Sequence, residues 1–108
     1  MPNLSFYLSE ELFEHMTDVS SLTQDCQSLC VEHLGAEMEK VHIIYISVKS
    51  GCGHPIYVEL IYRLLASRSP EVMTSFMHKL DQIIQKTLGA IPRIRCFGYP
   101  HQQLYAYH

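Results

Sequence analysis

Position 2 is a proline, directly behind Met1, and it opens an apolar run, Met1-Pro2-Asn3-Leu4-Ser5-Phe6-Tyr7-Leu8. A small second residue favours removal of the initiator methionine. Pro2 would then carry the free amine of the chain, a secondary amine on a rigid ring. An internal proline offers only a non-basic amide nitrogen. An unperturbed α-amino group titrates at about 8. Burial or a nearby cation lowers that value by disfavouring the charged form. A neutral amine near pH 7 is a base for a proton on carbon or oxygen. The competing role for Pro2 is structural, because proline suits the first residue of a strand, where no ladder donor is needed.

The other reactive residue types are scattered. Of the four cysteines, Cys26, Cys30, Cys52 and Cys96, the first two lie at i, i+4 of one predicted helix and share a face. That spacing fits core packing. The seven histidines, His42 among them, form no His-x-x-x-His or His-Glu-x-x-His ligand pair. No metal and no cofactor is expected. Ser50-Gly51-Cys52-Gly53-His54-Pro55 lacks the Gly-Lys-Ser/Thr ending of a phosphate cradle, and no helix follows it, so it reads as a turn.

With 108 residues the chain is expected to form one domain. Its 47% apolar content excludes a disordered chain. A net charge of −3 lacks the basic footprint of a nucleic-acid binder. No apolar stretch approaches the roughly 20 residues of a membrane span, and the N-terminus has no basic n-region and apolar h-region of a signal peptide. The expectation is a soluble, cytoplasmic protein with free thiols, without nucleic-acid or membrane partners.

The elements that must position Pro2 follow from periodicity. A first strand is predicted over 2–8, then a short helix capped by Ser9 with Glu10 and Glu11 in its first turn. Val19, Leu22, Cys26, Leu29, Cys30, His33 and Leu34 repeat at helical spacing, and Gly35 closes that helix. Residues 41–48 form a β-branched strand, and 56–65 another. Ser69-Pro70-Glu71 starts the clearest helix, which Gly89 ends. Residues 93–99 complete the pattern. Two β-α-β units result, 1–49 and 56–99, joined by the glycine-rich 50–55 and followed by an aromatic, histidine-rich tail, 100–108. The predicted fold is α/β (α+β): a duplicated β-α-β unit forming a four-stranded mixed sheet with two helices on one face. On the third strand Ile56, Val58, Leu60, Tyr62 and Leu64 would face the helices, and Tyr57, Glu59, Ile61 and Arg63 the other side. On the fourth, Arg93, Arg95, Phe97 and Tyr99 oppose Ile94, Cys96 and Gly98. The charged and aromatic face suits an oligomer interior or a ligand site, with Arg63 or Arg95 expected to line an oligomer channel and pair there with Glu59.

Met1-Pro2, the order of the two β-α-β units, and the stretch Tyr57-Val58-Glu59-Leu60-Ile61-Tyr62-Arg63-Leu64-Leu65-Ala66-Ser67-Arg68-Ser69 resemble the tautomerase superfamily. The layout is most similar to the long members, the 5-carboxymethyl-2-hydroxymuconate isomerase and macrophage migration inhibitory factor-like proteins. The resemblance implies a homotrimer around a central barrel, with Pro2 as general acid/base moving a proton within an enol or dienol carboxylate. It places Arg68 where family members bind a substrate carboxylate, Arg95 at a second functional arginine, and His42 at the pseudo-equivalent place in the first half. Tyr99 is a candidate to orient the ligand. Arginine suits a carboxylate because its planar fork matches the two oxygens, and the same cation would depress the Pro2 amine. The first half lacks an arginine like Arg68, ending instead Leu8-Ser9-Glu10-Glu11. Two other functions fit the same order of elements: a non-enzymatic ligand-binding or interaction protein on this scaffold, and a ferredoxin-like ligand-sensing dimer.

Overall fold

Alternation of apolar and polar side chains dictates the sheet. In β1 (Asn3–Ser9) every even residue, Leu4, Phe6 and Leu8, is buried and every odd one is half-exposed. β3 (Ile56–Arg63) buries Ile56, Val58, Leu60 and Tyr62 in the same way. The computed structural model describes residues 2–108. It pairs these two strands antiparallel at the centre of a four-stranded sheet of order β2-β1-β3-β4. β2 (His42–Val48) lies parallel to β1, and β4 (Pro92–Tyr99) lies parallel to β3. Each parallel pair is one β-α-β unit, so the mixed sheet expected from the sequence is present.

Three helices connect the strands. α1 (Glu10–His15) is a short helix with no buried residue, and Ser9 Oγ accepts from the Leu12 N–H at 3.4 Å. α2 (Ser20–Leu34) buries Leu22, Cys26, Leu29, Cys30 and Leu34. α3 (Pro70–Leu88) buries Met73, Phe76, Leu80 and Ile84. Ser69 caps α3, its Oγ accepting from the Val72 N–H at 3.2 Å. Gly35 and Gly89 end α2 and α3 at φ 64° and 70°, a left-handed conformation that glycine adopts without Cβ strain. The apolar stripes of α2 and α3 meet the even face of the sheet in one core. Thr23 and Tyr45 hydroxyls, 2.7 Å apart, tie α2 to β2, and Tyr45 stacks on Phe6 with ring centroids 5.0 Å apart. Among the described residues no helix is long and apolar enough to cross a membrane.

One boundary differs from the sequence expectation. β3 ends at Arg63, not residue 65. Leu64 donates its N–H to Tyr99 at 2.9 Å, and the chain then turns, with the Arg68 N–H on the Leu65 carbonyl at 2.9 Å. Within the single chain Tyr57 OH donates to Glu59 Oε2 at 3.0 Å, one row away on the same face, whereas Arg63 stands four residues and about 13 Å along the strand from Glu59.

The core holds two buried thiols, Cys26 and Cys30, and Cys96 packs half-buried against it; burial keeps all three protonated. Cys26 is pushed up from 9.0 to about 12, and Cys30 and Cys96 each from 9.0 to about 11. Their folded values are raised, so their contribution to stability is complete below about 9 and is lost as pH climbs through 11 to 12. Denaturant midpoints are therefore expected to fall steeply above about pH 9. At pH 8 a thiol-specific alkylator should label the exposed Cys52 first, the half-buried Cys96 more slowly, and spare the buried Cys26 and Cys30 until the chain unfolds, which peptide mass mapping would check.

Candidate active site

Pro2 stands at the end of the central strand, and its ring is fully buried. Its carbonyl accepts from the His42 N–H at 3.0 Å, which locks the start of β1 to β2. On the other side Asn3 is the register partner of Ile61. One further step places Pro2 opposite Tyr62, with Arg63 as the next residue of β3. Tyr99 is the partner of Arg63 on β4. Pro2, His42, Arg63 and Tyr99 thus share one end of the sheet. His42 is exposed there on β2, and Tyr99 is half-buried.

Arg68 joins the same end by a different route. Arg68 is 7% exposed as a residue, the one charged residue in the core of the described chain. Nε donates to the Leu34 carbonyl at 2.9 Å and Nη1 to the Arg63 carbonyl at 2.8 Å. Leu34 is the last residue of α2, so its carbonyl has no partner within the helix. A cation at a helix C-terminus also complements the negative end of the dipole. Arg68 is therefore a cross-tie between α2 and the end of β3. A substrate carboxylate, the role expected from the sequence, would have to be met by Nη2, the nitrogen outside these two bonds. Burial first, then the neighbouring Arg63, pull the Arg68 guanidinium below its ordinary value.

Arg95 lies apart from this group in the single chain. It is the register partner of Glu59, four residues and about 13 Å from the row of Arg63 and Tyr99. It is exposed, and its Nη1 donates to the Ile94 carbonyl at 2.8 Å. Arg95 belongs to the open face of the sheet, where successive rows hold Ile46, Tyr7, Tyr57 and Arg93, then Ile44, Ser5, Glu59 and Arg95, then His42, Asn3, Ile61 and Phe97. Ile44, Ile61 and Phe97 are 38%, 39% and 52% exposed there. On this uncovered face Ile61 and Phe97 adjoin, while Ile44 lies beyond Ser5 and Asn3 of β1.

Arg63 stands on the open-face side of β3, as strand alternation expects, at the last step of the strand. Its Nε is buried with no hydrogen-bond partner, and its Nη1 lies 3.4 Å from His101 Nδ1. The signal in the sequence is parity and position: Arg63 is an open-face residue at the last step of β3, where the strand meets the start of β1. Gly98 serves the same corner. A Cβ there would meet the Leu64 side chain and sit 3.1 Å from the Tyr62 ring, so only glycine lets these two side chains close over β4. Among the described residues no three His, Cys, Asp or Glu side chains come together as a metal site.

No family model and no curated protein matches the chain. Solved structures match over nearly its whole length. A fused 4-OT solved as an asymmetric trimer aligns with a TM-score of 0.73 over 96% of this chain and 91% of that one, at 22% identity. Pt0534 inactivated by 2-oxo-3-pentynoate aligns with a TM-score of 0.70 over 96% and 90%, at 14% identity. The macrophage migration inhibitory factor-like protein of Entamoeba histolytica aligns with a TM-score of 0.68 over 99% and 96%, at 8% identity. The chain has the fold of the tautomerase superfamily.

Replacing Arg68 by alanine strands two carbonyls in or near the core. Each unsatisfied buried group costs about 1–3 kcal/mol, so Arg68→Ala is expected to lose about 2–4 kcal/mol of folding stability, a drop of roughly 10 °C or more in Tm. Arg95→Ala, on the exposed face, should shift Tm by no more than a degree or two. Thermal denaturation of the pair checks the cross-tie.

Proposed function

We propose that the chain is a tautomerase or isomerase that moves a proton within an enol or dienol carboxylate, with the Pro2 amine as general acid/base once Met1 is removed. The observation that carries this is the place of Pro2: it begins the central strand of a tautomerase-fold sheet and shares that end with two arginines. In this reading a substrate such as 2-hydroxymuconate or phenylenolpyruvate binds with its carboxylate toward the cations. The neutral Pro2 nitrogen takes the proton from the enol oxygen or delivers one to carbon. The cations hold the amine neutral, because a second positive charge beside them is unfavourable. His42 and Tyr99 border the substrate, and Arg95 reaches a site through the assembly. No cofactor takes part.

The assembly proposed is a homotrimer. Ile44, Ile61 and Phe97 of the open face meet water in the single chain, and Leu104, Tyr105 and Tyr107 of the tail are 45%, 94% and 89% exposed. Closed rings bury such surfaces. A cytoplasmic location agrees with this chemistry and with the free cysteines.

The burial of Pro2 in the single chain favours one rival, a binding protein on the same scaffold without turnover. One assay separates them. Processed protein, verified by mass, should ketonise phenylenolpyruvate or 2-hydroxymuconate, and Pro2→Ala, which keeps a primary amine, should lose about a hundredfold or more, the range of a general base. Equal rates with the two proteins reject Pro2 as the base. Light scattering at micromolar concentration is expected to give three times the chain mass; a stable monomer rejects the ring.

A further inference from the structure

The helix layer carries a groove of its own, remote from Pro2. α2 and α3 run antiparallel, so the end of α2 meets the start of α3: His33 Nε2 lies 3.4 Å from Ser75 Oγ. Between the two helices is a solvent-open groove of about 420 Å³. Leu29, which is buried, and Ile83, which is half-buried, form its floor. Asp25 and Glu32 stand on the α2 bank, and Lys79 and Lys86 on the α3 bank, all four exposed. None of them makes an ion pair: among the described residues the one pair is Lys40–Glu37, at 3.2 Å. One bank is negative, the other positive, and neither is neutralised.

The spacing of these charges selects a partner. The two members of each bank are about two helical turns apart, roughly 10 Å along the axis, and so share a face. Antiparallel helices set Asp25 toward the Lys86 end of the groove and Glu32 toward the Lys79 end. A second copy can seat its helix layer here by a two-fold axis in two ways. An axis along the groove lays α2 of each copy over α3 of the other. Asp25 then meets Lys86, and Glu32 meets Lys79, in both directions, because a two-fold contact makes every pair twice. An axis across the groove lays α2 on α2 and α3 on α3, which sets acid on acid and lysine on lysine. Like charges brought together oppose that second orientation.

We propose that the groove between α2 and α3 is a self-recognition surface, occupied by the same groove of a second copy about a two-fold axis that runs along it. Leu29 and Ile83 of the two copies meet near the axis, covered by the lysine stems, and the charged banks fix the orientation. Exposed ion pairs are individually weak and are screened by salt, so the contact is reversible and salt-sensitive. It is independent of the proton-transfer reading. The homotrimer proposed above uses the open face of the sheet, and the groove belongs to the helices on the opposite face. A ring of three chains would therefore present three grooves and join other rings through them.

The test is light scattering of the full-length protein over a concentration series, at about 50 mM and about 500 mM salt, where screening differs severalfold. At low salt the mass of the unsubstituted chain should climb above its dilute value as concentration rises, and at high salt it should fall back. Lys79→Glu with Lys86→Glu makes both banks acidic, and Asp25→Lys with Glu32→Lys makes both basic. Each of these chains alone should lose self-affinity by about tenfold or more, the sum of several exposed pairs. An equal mixture of the two should regain the larger mass, because every facing pair is again opposite in sign. Lys79→Gln with Lys86→Gln, which adds no repulsion, should fall between. All four positions are exposed on helices, so melting temperatures should match that of the unsubstituted chain. A mass that stays at its dilute value at low salt overturns the proposal, including the case in which the groove takes some other molecule. So does association that persists in both reversed chains, or a mixture of them that stays apart. The enzyme and the ring fail separately from the groove. Absent turnover leaves salt-sensitive association in place, and absence of the ring changes only the dilute mass from which association starts.

Discussion

The antiparallel pairing of β1 with β3 is the interaction on which the rest of the structure depends. Each β-α-β unit makes a parallel pair of strands with one helix over it, too little to close a core by itself. Joining the two units through their first strands places Leu4, Phe6 and Leu8 beside Leu60, Val58 and Ile56, and all six are fully buried. Because side chains alternate with period two, a slip of one residue would turn this whole set to the open face. The register is therefore set by burial. The same register decides what stands beside the start of β1, since an antiparallel partner brings the end of β3 there.

That end carries an unusual balance of charge and hydrogen bonding. The last carbonyl of α2 and the last carbonyl of β3 both need a donor where the chain leaves regular structure. Arg68 supplies both from one guanidinium. The cost is a cation in the core, tolerable because its donors face carbonyls and the helix dipole. One of those carbonyls belongs to a second arginine, Arg63, and among the described residues neither arginine makes an ion pair. The corner is held by backbone acceptors and left positive, which is the electrostatic condition an anion requires.

The open face follows from the same alternation. Ile44, Ile61 and Phe97 are exposed there among Tyr57, Glu59 and Arg95. Burial first, then the Glu59 carboxylate, raise the Tyr57 phenol above its ordinary value, so the Tyr57–Glu59 hydrogen bond keeps its proton on the tyrosine. Arg95 belongs with this surface and lies about 13 Å from the Pro2 end. A contribution from Arg95 to chemistry at Pro2 therefore requires a second chain.

Local patterns in the sequence determined the elements. Ser69 with Pro70, the glycines after Leu34 and Leu88, and the β-branched runs each act over a few residues, and the helices and strands fall within a residue or two of where those patterns put them. Strand alternation also determined which sides of β3 and β4 face the core. Pro2 was legible as a candidate because its chemistry depends on position in the chain alone. What tertiary structure decided was the partner of each arginine. Nothing local distinguishes a guanidinium bound to the end of α2 from one whose Nε meets no acceptor. The donors of Arg68 are fixed by Leu34, 34 residues away in sequence, and Arg63 Nη1 meets His101, 38 residues away. Hydrogen-bond partners of long side chains are set by which distant backbone groups the fold leaves unsatisfied, and that is determined only when the strands have paired.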